Sequence, residues 1–164
     1  MAGLFTSSYR RGLLLVLALA ALGIAALLWT RGPTLPDTTG WKRQEAQGLS
    51  LLVPPDWTLD TFEDGIVLQD ARRIRQLRTV ELYLGGGPPE RRASGLSVTE
   101  TGARPAPFAV LTGDGGSGGP QYALLTTRIV GTRAVTLLAS DQSERGVPAF
   151  AVAWGVWQSL RAAE

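Results

Sequence analysis

From Trp41 to Ser140 the apolar side chains recur at every second position in short runs, each closed by Gly, Pro or acidic residues. That period predicts β-strands with one face buried. Leu49, Leu51 and Val53 alternate in LSLLV, and Pro54-Pro55-Asp56 stops the run. Trp41 to Glu45 precedes it as a first strand, and Trp57-Thr58-Leu59 resumes extended chain. Glu63-Asp64-Gly65 turns into Ile66-Val67-Leu68. Val80, Leu82 and Leu84 alternate in TVELYL, with Glu81 as the outward residue, before Gly85-Gly86-Gly87-Pro88-Pro89 ends the strand. Leu96 to Glu100 and Phe108 to Leu111 are weaker strands. Gln121 to Val130 and Arg133 to Ser140 are the strongest pair. Gly131 takes the first turn position between them, as a type II′ hairpin requires.

The period changes at the C-terminus. Pro148 suits a first helical turn. Phe150, Trp154, Trp157 and Leu160 follow at spacings of four, three and three, which places them on one helix face. Strands first and a helix last predict an α+β domain, an antiparallel sheet covered by a C-terminal helix. Trp154 and Trp157 are expected in the core between the two.

The N-terminus has no period of either kind. Gly12 to Trp29 reads GLLLVLALAALGIAALLW, 18 residues without a charge. As a helix it would be about 27 Å long, close to the ~30 Å of a bilayer core. This predicts one N-terminal transmembrane helix, a signal anchor, with Trp29 at the interface. A cleaved signal peptide is the rival reading, but its small-x-small site, Ala18-Leu19-Ala20, falls in mid-run. Arg10 and Arg11 abut the span and favour an inside N-terminus. The expected organisation is a cytoplasmic tail (1–11), an anchor (12–30), a Pro/Thr/Gly linker (31–40) and an α+β periplasmic domain (41–164). The expected location is the bacterial inner membrane, with a single pass.

Composition removes most chemistry. The 164 residues include no cysteine and no histidine, which excludes disulfides, thiolate nucleophiles, His-ligated metals and Ser-His-Asp catalysis. Beyond Arg11 the chain carries 14 basic and 14 acidic residues, so it lacks the basic footprint of a nucleic-acid binder. Arg72, Arg73, Arg75 and Arg78 cluster, either as a solvated face or as a site for an acidic partner.

Residues 113–120 read GDGGSGGP. Gly113-x-Gly115-x-x-Gly118 fits the dinucleotide fingerprint, but a strand follows it where that motif needs a helix. Gly115-x-Ser117-x-Gly119 fits a nucleophile elbow, yet the chain has no histidine to act as base, and its only lysine is Lys42. No Gly-Lys-Ser/Thr follows to make a phosphate loop. The scattered carboxylates show neither a glycosidase spacing nor a calcium loop. No catalytic residue, metal site or cofactor is expected. The run reads instead as a flexible connection or as a shaped interaction loop, with Asp114 and Ser117 as its polar handles.

The order of these signals resembles the PsbP-like fold. The residues that carry the likeness are Val53-Pro54-Pro55-Asp56-Trp57, the glycine-led strand Gly65-Ile66-Val67-Leu68, the late hairpin and Trp157-Gln158-Ser159-Leu160-Arg161. Within that group the chain is most similar to the immunity proteins that guard bacteria against type VI secretion muramidase effectors. That likeness rests on Gly115-Gly116-Ser117-Gly118-Gly119 leading into Gln121-Tyr122-Ala123-Leu124, on Asp141-Gln142-Ser143-Glu144 and on Pro148-Ala149-Phe150. The resemblance implies a membrane-tethered, non-enzymatic binder of a cell-wall-degrading protein. The glycine-rich run itself, not the resemblance, gives the expected contact surface: Asp114, Gly115, Gly116, Ser117, Gly118 and Gly119. The alternative is an accessory or assembly subunit of an envelope complex.

Overall fold

The computed structural model describes residues 35–164 apart from 73–77, 89–93, 104–105, 117–118 and 143–149. The chain divides into two units between Gly32 and Pro33, and all described residues belong to the second.

Ten strands and one helix make up the described residues. They are β1 (Lys42–Ala46), β2 (Leu49–Val53), β3 (Trp57–Phe62), β4 (Gly65–Asp70), β5 (Arg78–Leu84), β6 (Ser97–Gly102), β7 (Phe108–Gly113), β8 (Gln121–Val130), β9 (Arg133–Asp141), α1 (Ala151–Ser159) and β10 (Arg161–Ala162). One sheet has seven strands in the order β3-β4-β5-β9-β8-β7-β6; the other has three, β1-β2-β10. Every pairing is antiparallel.

The predicted alternations are all strands. The hairpin β8–β9 turns at Gly131, whose φ of +60° fits the first position of a type II′ turn. The β1–β2 hairpin uses a turn absent from the sequence reading: Gln47 and Gly48 both have positive φ, +53° and +75°. Both residues being left-handed is the type I′ pattern, which Asn-Gly usually supplies.

The α+β expectation needs correction. The domain is mostly β-sheet, with a single helix of nine residues among the described ones. The cover over the large sheet is not helical alone. Leu49, Leu51 and Val53 of β2 are almost completely buried. They share one core cluster with Ile66, Leu68, Val80, Leu82 and Leu137 of the large sheet and with Trp154 and Trp157 of α1. A strand that buries three large aliphatics fills space a helical layer would otherwise occupy. The second correction concerns the membrane. No helix among the described residues is long and apolar enough to cross one, and the run Gly12–Trp29 lies outside them. Pro148, the expected start of the helix, also lies outside them.

The helix face is as the spacing predicts: Phe150, Trp154, Trp157 and Leu160 are all buried. Trp154 packs edge-on against Phe108 of β7, with ring centroids 5.5 Å apart. Trp157 lies under the Arg128 guanidinium of β8, 4.8 Å from the ring centroid. Arg128 also donates to the carbonyl of Leu160 at 2.5 Å. Burial lowers its pKa, yet a guanidinium starts so high that it stays cationic. The other flank of α1 is tied to the small sheet. Ser159 Oγ accepts from the Leu52 amide at 2.9 Å and donates to Val156 O at 2.8 Å. Beyond it, Arg161 and Ala162 pair with Ser50 and Leu49. The Ser159-Leu160-Arg161 signal is therefore a structural latch.

The linker reading is also modified at its end. A Cβ on Gly155 would meet Pro36 Cγ at 2.7 Å and the Trp41 ring at 2.8 Å, so this stretch lies against the helix.

Candidate functional site

Strand polarity gathers several chain segments at one end of the large sheet. Trp57 pairs with Asp70, Arg78 with Asp141, Tyr122 with Asp141, and Gly113 with Gln121. The turn before β3, the β4–β5 connection, the glycine-rich β7–β8 connection and the exit from β9 therefore leave the sheet on the same side.

The glycine-rich connection is stapled to itself. Asp114 Oδ1 accepts from the Gly116 amide at 2.8 Å, and the Gly119 amide donates to Gly116 O at 3.2 Å. Gly116 and Gly119 have φ of +65° and +84°. Gly115 sits where the loop closes: a Cβ there would lie 2.1 Å from Gly119 O and 3.2 Å from both Gln121 N and Gln142 Nε2. Only glycine allows that approach. Of the six expected contact residues, Asp114 and Gly116 are exposed and Gly115 and Gly119 are half-buried, while Ser117 and Gly118 lie outside the described residues. Asp114 is the loop's own cap as well as a polar handle.

Beside the loop, at the ends of β4, β5 and β9, lies a cluster of charges the sequence reading did not assemble. Arg78 Nε is 3.3 Å from Asp141 Oδ2, and its Nη1 is 3.9 Å from Asp70 Oδ2. Asp70 Oδ1 also accepts from the Arg72 amide at 3.0 Å. Arg72 itself pairs with Asp56 at 2.5 Å, with side chains 72% and 40% exposed. An exposed pair of this kind contributes about 0–1 kcal/mol. Arg73 and Arg75 lie outside the described residues, so of the arginine cluster Arg72 is on the surface and Arg78 faces inward.

Glu81 requires correction. It is 5% exposed, not outward in solvent, because the opposite face of the large sheet is also covered. Tyr83, Leu111, Ala123 and Leu138 form a second core cluster there, with Phe62 packed against it. The Tyr83 hydroxyl donates to Glu81 Oε2, and Phe62 packs edge-on to the Tyr83 ring at 5.4 Å. A buried carboxylate needs such a donor.

Among the described residues no group of three or more His, Cys, Asp or Glu is placed to hold a metal ion. Lys42, the only lysine, lies on β1 of the small sheet. What this end of the sheet offers is a glycine-rich loop beside a charged cluster.

Residues 50–161 match the profile of the type six secretion immunity 3 domain. The chain belongs to that family. The matched span of this immunity domain runs from β2 to β10 and contains the glycine loop, Asp70, Arg78 and Asp141. Over 145 residues the chain is 28% identical to the immune protein Tsi3 of Pseudomonas aeruginosa, covering 88% of this chain and 95% of that protein. The immunity-family likeness drawn from the glycine run and from Asp141-Gln142-Ser143-Glu144 is borne out. Among solved structures, cyanobacterial PsbP from Synechocystis sp. PCC 6803 is similar, at 11% identity and a TM-score of 0.46 over 74% of this chain and 92% of that one.

Proposed function

We propose that this immunity domain binds and occludes a cell-wall-degrading effector of the muramidase class in the periplasm. The observation that carries the reading is the stapled glycine loop at the sheet end of a type six secretion immunity domain. A muramidase has an elongated cleft that accepts a glycan strand. A loop in which four of residues 114–119 are glycine carries little side-chain bulk, which suits entry into such a cleft. Its amides and carbonyls can take the place of sugar hydroxyl partners. Inhibition by occlusion asks for no chemistry from the inhibitor, which accords with a chain lacking histidine and cysteine. Affinity in such contacts concentrates in a few central residues. The periplasmic location is read from the sequence, where Arg10 and Arg11 precede the uncharged run Gly12–Trp29, an arrangement that directs a chain to the inner-membrane export route.

The test is co-expression with a periplasm-directed muramidase effector encoded beside this gene, with lysis as the readout. Wild type should prevent lysis. Ser117→Arg, which adds bulk and charge to the loop sequence, should fail to prevent it while melting as wild type does. Protection by neither, with copurification of an envelope complex, would replace this reading with the accessory-subunit one.

A further inference from the structure

Asp141 is 2% exposed, and among the described residues neither of its carboxylate oxygens has a hydrogen-bond donor. Among the described residues it pairs with Arg78, whose Nε lies 3.3 Å away and makes no hydrogen bond either. Buried carboxylates normally collect directed donors, and a buried charge pair held by attraction alone adds little stability. The placement of this pair gives it a different use.

Asp141 is the last residue of β9 and lies between Arg78 on β5 and Tyr122 on β8. The next residue, Gln142, brings its side-chain amide against Gly115, the pinch point of the loop. The backbone nitrogen of Gln121, next to Tyr122, closes on the same glycine. Arg78 reaches in turn toward Asp70, which caps the amide of Arg72. One cluster thus joins the ends of β4, β5 and β9 beside the loop.

We infer that Arg78 and Asp141 are positioning residues for the glycine loop. Their pairing fixes the end of β9, which sets Gln142 against Gly115 and holds Gly115 and Gly116 in place. That the shape serves effector binding rests on the function proposed above; the positioning itself does not.

The first readout needs no partner. Amide hydrogen exchange is followed in the full chain at Gly116 and Gly119, whose amides are hydrogen-bonded within the loop. Asp141→Asn and Arg78→Met should speed their exchange by about tenfold or more, the signature of local opening, while Leu124 to Thr126 in β8 stay as in wild type. Arg78→Lys, which keeps the charge, should restore slow exchange. Gln142→Ala leaves the ion pair intact and should loosen the loop equally, so the inference stays testable if the charge variants fold poorly. Val135→Ala, a core truncation near the far end of β9, controls for general destabilisation. Loop exchange unchanged by Asp141→Asn and Gln142→Ala, or equally fast in Val135→Ala, would overturn the positioning role. The second readout is affinity for the muramidase effector. A loosened loop with unchanged affinity would support positioning while overturning the loop as the binding surface.

Discussion

Gly155 shows how a single residue can oppose its own local preference. In mid-helix it costs about 1 kcal/mol relative to alanine. It is retained because Pro36 and the Trp41 ring occupy the space a Cβ would take, at 2.7 and 2.8 Å. Both neighbours are rigid rings, so neither yields cheaply. Overpacking costs about 1–3 kcal/mol and exceeds the regained propensity. Gly155→Ala should therefore lower the melting temperature by a few degrees, measured by thermal unfolding of the domain. A higher melting temperature would show that the Pro36–Trp41 stretch does not press on the helix. Arg128 is the other instructive residue. It interrupts the inward series Leu124, Thr126, Val130 with a charge. The interruption is tolerated because the guanidinium finds both a Trp157 face and the Leu160 carbonyl at the helix end.

At the scale of elements, α1 carries more than its length suggests. Nine residues bury two tryptophans against the large sheet and hold β2 through Ser159. Trp157 is 1% exposed, so Trp157→Ala should cost about 3–5 kcal/mol, seen as a large loss in denaturant midpoint. A wild-type midpoint would mean the helix is not part of the cover. Alternation made the strands legible because each has a buried face, and β8 was readable to the residue. The small sheet was not legible. Its third strand is only Arg161–Ala162, and it pairs with β2 from the opposite end of the chain. No local pattern encodes that return, so the cover was read as helix alone. The charged cluster beside the loop was hidden for the same reason. Asp70, Arg78 and Asp141 meet only because β5 lies between β4 and β9, and β6 to β8 intervene in sequence. Alternation places Glu81 outward because it identifies two faces but does not say that both are covered.

For the molecule as a whole, the two ends of the large sheet are unlike. One end carries the short turns Glu63-Asp64 and Gly131-Thr132. The other gathers the glycine loop, the charged cluster and the exit of β9, and is the end proposed to bind the effector. The most direct test is the hydrogen-exchange footprint of the purified domain with and without the effector proposed for it. Slowed exchange should concentrate in peptides covering 113–122 and 141–150, with β1 and β6 unchanged. Slowing at β1 or at the β6 edge, with the glycine loop exchanging as in the free domain, would contradict the account.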